Sequence, residues 1–219
     1  LIPVLSRGLV YDNGASLQGK GIHFAMFRCR KYLQDYYRKH RSNDGWILQI
    51  DFSGYFDNVQ HGPIWEMLDR QFTDQRIIRL TRKFVESFGE SSLGIGSQVS
   101  QILAITYPTR IDHYIAEVLR LKGERYMDDS IYFSSSREEL ETALEILRPM
   151  YAAIGIKLNP RKTQIIPLKH FTFLKVRYEL TASGKVIMSP CRKSIVQQQR
   201  KLKKLRRVLE TREMRIEDV

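Results

Sequence analysis

The segment Glu124-Arg-Tyr-Met-Asp-Asp-Ser-Ile-Tyr-Phe133 determines how the rest of the chain is interpreted. Two adjacent carboxylates, Asp128 and Asp129, interrupt a run of apolar and aromatic residues that favours β-structure. Unpaired carboxylates in a half-buried hairpin are disfavoured by desolvation, and aspartate oxygens bind hard divalent cations such as Mg²⁺. The segment therefore predicts a metal site at a hairpin. The simpler alternative is an Asp-Asp turn between two strands.

A second acidic position lies upstream of this hairpin. Trp46 to Ile50 form a mostly apolar run with the length of a central strand, and the run ends at Asp51. If this strand lies beside the hairpin, Asp51 can converge with Asp128 and Asp129 on two metal ions about 3.5–4 Å apart, as in two-metal displacement at phosphorus. The predicted meeting of these carboxylates is the main indication of function.

The composition allows a folded domain with a polyanionic partner. The 219 residues are 42% hydrophobic, and 36 Lys and Arg against 24 Asp and Glu leave a net charge of +12. Nucleic acid fits this charge, although a membrane surface would fit it too. Two cysteines, Cys29 and Cys191, support neither a disulfide framework nor a cysteine zinc site. Without a signal peptide or an apolar run of about 20 residues, we expect a soluble cytoplasmic protein with no membrane contact. The chain starts without methionine, so we also expect that an upstream portion is missing.

Three motifs in order resemble the palm of reverse transcriptases. They are Asp51 with Phe56 and Asp57, then Tyr126-Met-Asp-Asp129, then Leu158-Asn-Pro-Arg-Lys-Thr163. The resemblance extends from about residue 11 to about residue 195 and implies an α+β fold, with an antiparallel sheet packed on helices. It implies partial fingers at 1–45, a palm at 46–190 with fingers-side helices near 60–90, and the start of a basic thumb helix at 191–219.

The resemblance also implies an activity and its residues. A reverse transcriptase extends a DNA primer with deoxynucleotides on an RNA template, using two Mg²⁺ ions for which Mn²⁺ can substitute. The metal ligands would be Asp51, Asp128, Asp129 and the backbone carbonyl of Phe52. Phe56 would block a ribose 2′-hydroxyl, and Met127 would border the substrate. Lys162 is a candidate proton donor to the leaving pyrophosphate, or alternatively a plain surface lysine.

The glycine-serine loop at 91–101 indicates which class of reverse transcriptase the chain resembles. In the family this loop packs against the incoming nucleotide, and Gly96 would let a base or sugar approach the backbone closely. Ile95 stands where most reverse transcriptases have glutamine, and Gln101 stands where many have proline. Both features resemble the enzymes of diversity-generating retroelements more than those of group II introns or retrons. Because Ile95 offers shape without a hydrogen bond, we expect reduced fidelity, unless it is simply a loop residue in the core.

Basic side chains near both ends of the chain are candidate nucleic-acid contacts. Lys20 and Arg28 belong to a Gly-Lys-Gly segment and to the predicted helix from about Ile22 to Arg41. Lys175 lies in a segment that resembles the primer grip, where the family has glycine. The candidate thumb contacts are Arg200, Lys203 and Lys204. The alternative is a set of solvated basic faces or a coiled coil.

Several local structures and other functions are also predicted. The pattern predicts a helix capped by Thr73, a helix from Val99 towards Leu121 kinked at Pro108, and a strand over 171–180 followed by a hairpin turn at 182–185. A further helix is predicted to start after Ser136, with Leu140, Leu144, Leu147 and Ile154 on one face. In the helix from about Ile22 to Arg41, the residues expected to line the core are Phe24, Phe27, Leu33, Tyr36 and Tyr37. An inactive RNA-binding relative and a protein-interaction module with a basic face remain alternatives to the polymerase. A retroelement accessory protein is a further expected partner, and the sequence gives no indication of oligomeric state.

Overall fold

Helices and antiparallel strands alternate in the computed structural model, which describes residues 1–210. The helices are α1 (Ile2–Leu5), a 3₁₀ turn (Ser6–Gly8), α2 (Ile22–His40), α3 (Tyr55–Asn58), α4 (His61–Gln71), α5 (Gln75–Glu86), α6 (Gln98–Thr106), α7 (Thr109–His113), a π-helical turn (Tyr114–Val118), α8 (Arg137–Ala153) and α9 (Arg192–Glu210). The strands are β1 (Trp46–Asp51), β2 (Lys122–Tyr126), β3 (Asp129–Ser134), β4 (Gln164–Pro167), β5 (His170–Phe173), β6 (Val176–Leu180) and β7 (Val186–Pro190).

Strand β1 occupies a central position in a four-stranded antiparallel sheet with the order β2-β3-β1-β4. Strand β3 pairs with it on one side and β4 on the other, so its backbone groups are satisfied on both edges. The β1–β3 register places Trp46 opposite Ser134 at one end and Asp51 opposite Asp129 at the other. Strands β5, β6 and β7 form a separate three-stranded sheet.

The four-stranded sheet separates two hydrophobic cores. Leu48 and Ile50 of β1 face a core built with α4, α6 and α8. Ile47, which directly precedes Leu48, points to the opposite face of the sheet and packs in a second core built with α2 and the β5–β7 sheet. Because both faces are covered, β1 is apolar on both sides, which explains its nearly continuous hydrophobic run. This layered arrangement fixes the sheet edge at which Asp51 ends the strand.

The predicted helix boundaries are partly wrong. Asp74, not Thr73, caps α5, because its carboxylate accepts a hydrogen bond from the backbone N–H of Arg76. The long helix predicted from Val99 is divided into α6, α7 and the π-helical turn. Pro108 lies at the break between α6 and α7, where it has no N–H to donate to the helical ladder.

The predicted strand over 171–180 is also wrong, because the segment is a hairpin. Strands β5 and β6 pair through a two-residue turn, in which Leu174 and Lys175 have φ values of 49° and 64°. Positive φ at both turn positions suits the right-handed twist of a hairpin but is usually marked by Asn or Gly. Neither residue provides that signal. The next predicted turn, between β6 and β7, is confirmed, with Gly184 at φ 82°.

The two long basic helices, α2 and α9, differ in the number of their side chains that are buried. In α2, Leu33 and Tyr36 are buried as predicted, whereas Phe27 is 62% exposed and Cys29 takes the inward position. Helix α9 has no buried residue. The part of the predicted thumb at 211–219 lies outside the described residues. No helix within residues 1–210 combines the length and apolar character that a membrane crossing needs.

Candidate active site

The three predicted carboxylates meet at one edge of the four-stranded sheet. Asp51 ends β1 directly opposite Asp129, the first residue of β3. The backbone N–H of Phe52 donates to the carbonyl of Asp128 over 3.2 Å, which joins the strand end to the hairpin turn. Residues far apart in sequence are therefore neighbours, as the hydrophobic patterns predicted.

Negative charge is crowded at this edge. Burial raises the pKa of Asp129 to about 6, and the nearby charges of Asp128 and Asp51 add to the rise. Burial also raises the pKa of Asp128, and the charge of Asp51 contributes. An all-oxygen set of carboxylates that repel one another matches the ligands preferred by Mg²⁺. The chemistry of the donor set therefore fits a divalent cation.

As arranged here, however, Asp51 faces protein groups on both of its oxygens. The ammonium of Lys162 is 2.7 Å from Oδ2, and the side-chain amide of Asn159 donates to Oδ1 over 2.9 Å. The hydrogen bond between Lys162 and Asp51 is the main reason that the pKa of Lys162 is raised. Within residues 1–210, no group of three or more His, Cys, Asp and Glu side chains is arranged to hold a metal ion. The ammonium of Lys162 thus partly neutralises the negative charge of these carboxylates.

A buried ion pair contacts the backbone of the hairpin turn between β2 and β3. The guanidinium of Arg125 donates to both carboxylate oxygens of Asp112, and both side chains are almost completely buried. A further N–H of Arg125 donates to the carbonyl of Met127 over 3.0 Å. Met127 has a φ of 55°, a conformation that costs energy in a non-glycine residue. Arg125 therefore fixes a strained peptide beside Asp128.

The two predicted phenylalanines have different surroundings. The side chain of Phe52 is buried against Tyr55 and Tyr151, so only its backbone carbonyl is a candidate ligand. Phe56 is half-buried on α3, and its carbonyl accepts a hydrogen bond from Leu93 over 2.8 Å. This contact brings the glycine-serine loop next to the predicted sugar-selecting side chain.

The loop residues that follow are open to solvent. Ile95 is 84% exposed, so the alternative that it is a core residue is wrong. Gly96 has a φ of 96°, and a methyl group added there would meet no atom within 4 Å. Gln101 is half-buried in the first turns of α6, which Ser97 caps. These residues form an accessible loop whose predicted role in substrate binding stays a prediction.

The predicted nucleic-acid contacts fall into two groups. Lys20 and Arg28 face inward: Lys20 donates to the carbonyl of Tyr11 over 2.6 Å, and Arg28 donates to Asp12 over 2.5 Å. Burial lowers the pKa of Lys20. The exposed group consists of Lys175, Arg200, Lys203 and Lys204. Only this second group presents free cationic ends to solvent.

A cleft of about 210 Å³ adjoins the carboxylates. Its walls include Asp51 and Asp129 on one side and Phe173 and Leu174 of the β5–β6 hairpin on the other. Lys162 also lines it. Strand ends and the hairpin that resembles a primer grip therefore border one open space.

Comparison with known proteins identifies the family. A family model described as "Reverse transcriptase (RNA-dependent DNA polymerase)" matches residues 13–178. The chain belongs to the reverse transcriptase family. Membership was predicted from the three motifs and is confirmed, whereas the retroelement subtype is untested. No curated protein matches the sequence.

Solved structures show the same reverse transcriptase fold. The telomerase of Candida tropicalis truncated from its C-terminal domain superimposes with a TM-score of 0.64 at 15% identity, covering 84% of this chain and 41% of that one. The telomerase of Candida albicans in complex with a fragment of telomeric RNA gives a TM-score of 0.65 at 12% identity, covering 84% and 35%. The chain spans less than half the length of these telomerases. The predicted α+β palm fold is thereby confirmed.

Sequence reasoning missed three residues of this reverse transcriptase site. Asn159 lies in the third motif, where nothing in the sequence indicates its contact with Asp51. Arg125 and Asp112 were not singled out at all. The available signal is the position of Arg125 in an apolar hairpin two residues before Met127, because a charge buried there requires a partner of opposite charge.

Proposed function

We propose that this protein is an RNA-directed DNA polymerase that adds deoxynucleotides to a primer 3′ end. The observation that carries the proposal is the position of Asp51 opposite Asp129, with Asp128 in the adjoining turn, in a chain of the reverse transcriptase family. A structural turn alone would not require carboxylates from two separate strands to share a buried sheet edge.

The residues that would hold two divalent ions are Asp51, Asp128, Asp129 and the Phe52 carbonyl. Mg²⁺, or Mn²⁺ in its place, would raise the nucleophilicity of the primer hydroxyl and neutralise charge on the triphosphate. The protein contributes a fixed geometry, because Asp51 and Asp129 belong to paired strands and Arg125 holds the turn beside Asp128. Such preorganised charge is the main source of catalysis in phosphoryl transfer.

Side chains around the carboxylates would handle the proton and the nucleotide. The side chain of Lys162 is 66% exposed beside Asp51, where its ammonium would give a proton to leaving pyrophosphate. Phe56 would block the 2′-hydroxyl of a ribonucleotide. Ile95, which has no hydrogen-bonding group, would pack against the nucleotide by shape alone, so the proposed enzyme is error-prone.

The template and primer would follow the exposed cations. Lys175 projects from the hairpin turn at the cleft, and α9 carries Arg200, Lys203 and Lys204 on one helical face. Side chains of this kind bind phosphates without reading sequence. An association with a diversity-generating retroelement and its accessory protein completes the proposal, supported by Ile95 and Gln101.

Primer extension tests the proposed activity. The purified protein, supplied with a poly(rA) template, an oligo(dT) primer, dTTP and Mg²⁺ or Mn²⁺, should extend the primer. Asp51→Asn should abolish extension while leaving the chain folded. The control is Asp35→Asn, which removes only an exposed ion pair with Arg38.

Two results would contradict the proposal. The first is a parent protein that binds the template and primer yet adds no nucleotide, which is the behaviour of an inactive RNA-binding relative. The second is undiminished extension by Asp51→Asn.

A further inference from the structure

We propose that Asn159 is a positioning residue that fixes the Asp51 carboxylate in the orientation a divalent cation requires, an inference that rests on the proposed function. Asn159 contacts Asp51 twice. Its side-chain amide donates to Oδ1 over 2.9 Å, and its backbone N–H donates to the Asp51 carbonyl over 2.8 Å. Asn159 therefore holds both the side chain and the backbone of Asp51.

Asn159 is itself held at its other polar groups. Its Oδ1 accepts a hydrogen bond from the backbone N–H of Arg161 over 3.1 Å. Its backbone carbonyl accepts from the backbone N–H groups of Lys162 over 3.2 Å and Thr163 over 2.8 Å. The first of these contacts is a side-chain turn that Asn favours. Because each polar group of Asn159 has a partner, its amide cannot rotate away from Asp51 without breaking other bonds. The turn before β4 and the end of β1 form one unit.

Lys162 contacts the same carboxylate but has the opposite effect on a cation. Its ammonium lies on Oδ2 at 2.7 Å, and its side chain is 66% exposed and therefore free to leave. A metal ion would have to compete with this positive charge. The Asn159 amide carries no net charge, and an oxygen that accepts one hydrogen bond still has a lone pair for a metal. Asn159 would therefore support cation binding, and Lys162 would oppose it.

Binding of Mn²⁺ alone to the purified protein tests this difference. Free Mn²⁺ is measured by electron paramagnetic resonance at constant pH, without nucleotide or nucleic acid. Removing an outer partner of a metal ligand commonly costs 10–100-fold in metal affinity, so Asn159→Ala should bind at least about tenfold more weakly. Lys162→Met should bind as tightly as the parent or more tightly.

The matched control is Asn43→Ala. Asn43 also donates one long-range amide hydrogen bond, to the carbonyl of Leu180 over 2.9 Å, but it does not contact Asp51. Thermal unfolding of each variant separates affinity from stability. Asn159→Ser provides a second variant if the alanine chain does not fold, because serine can still accept from Arg161 while lacking the amide donor.

The outcomes separate this inference from the proposed function. A folded parent that binds no Mn²⁺ would overturn the proposed metal site and this inference together. A parent that binds Mn²⁺, with Asn159→Ala or Asn159→Ser binding equally well, would overturn the inference alone. Weaker binding by Lys162→Met would show that Lys162 assists the cation and would overturn the opposed roles.

Discussion

Asp51 has a buried backbone and a carboxylate that faces two chemically different partners. Its position at the end of β1 follows from the apolar run before it, and this much could be predicted from the sequence. The contacts with Asn159 and Lys162 cross more than 100 residues of chain, and no local pattern encodes them. The residue types of the site were therefore predictable, but its hydrogen-bond partners were not.

Ile95→Gln tests fidelity at the residue scale. Because Ile95 is 84% exposed, the change should alter the free energy of unfolding by less than about 0.5 kcal/mol. A glutamine amide would add hydrogen bonds that favour correct pairs, so the misincorporation rate of the active enzyme should fall about tenfold or more. Sequencing of extension products measures it. Leu80→Gln, at another exposed apolar position, is the control, and an unchanged error rate in Ile95→Gln would refute its role.

Glu124 predicts a pH dependence of stability. Its side chain is 1% exposed, and its oxygens have no hydrogen-bond partner among the described residues. Burial and the charge of Asp12 raise its pKa to about 8, from 4.5. Between these values the folded chain holds a proton that the unfolded chain has released. Stability should therefore fall as pH rises, by at most about 1.4 kcal/mol per unit.

Glu124→Gln should remove this part of the pH dependence. The amide keeps the shape of the side chain and cannot ionise, so the variant should gain stability relative to the parent as pH rises towards about 8. Urea unfolding at several pH values measures the difference. Exposed Glu145→Gln is the control, and parallel stability profiles for Glu124→Gln and the parent would show that Glu124 does not titrate in this range.

At the scale of elements, the β5–β6 hairpin determines one wall of the cleft. Its turn residues, Leu174 and Lys175, both have positive φ. Lys175→Gly should therefore stabilise the protein by about 0.5–1 kcal/mol, because glycine adopts this conformation without strain. Chemical denaturation measures the change. Lys185→Gly, in the following hairpin turn but without positive φ, should be destabilising, and a loss of stability in Lys175→Gly would contradict the account.

The elements also show where prediction from sequence stopped. Strand β1, the carboxylate hairpin and α8 have strong hydrophobic periodicity, and their types were predicted correctly. The β5–β6 turn was missed because it lacks Asn and Gly, the residues that normally mark positive φ. Phe27 of α2 is expected in the core because its spacing fits a helical stripe, but Phe27 is exposed and Cys29 of the same helix is the residue buried in the core that includes Ile47.

At the scale of the whole molecule, the net charge is +12, but only some of the cationic side chains are exposed and able to bind a partner. Lys20 and Arg28 are drawn inward by Asp12 and the polar backbone around it. Helix α9 buries no residue and keeps its cations exposed. Net charge predicted a polyanionic partner, but it could not show which cations are available for one, because that depends on long-range pairing.

The salt dependence of RNA binding tests which basic face is used. Replacing Arg200, Lys203 and Lys204 together with alanine should weaken binding and lower the slope of log affinity against log salt by about 2–3. The control is Arg76, Arg79 and Lys83 of α5, replaced together, which removes the same charge from another exposed helix. Equal losses in both variants would show that binding follows net charge and not α9.

The central claim is that Asp51, Asp128 and Asp129 form a cation site at one sheet edge. The most direct test is an anomalous difference map from crystals grown with Mn²⁺. We predict a manganese signal bound by Asp51 and Asp129, with the Lys162 ammonium displaced from Asp51. A saturated crystal with manganese bound elsewhere, and with Lys162 still paired to Asp51, would contradict the claim.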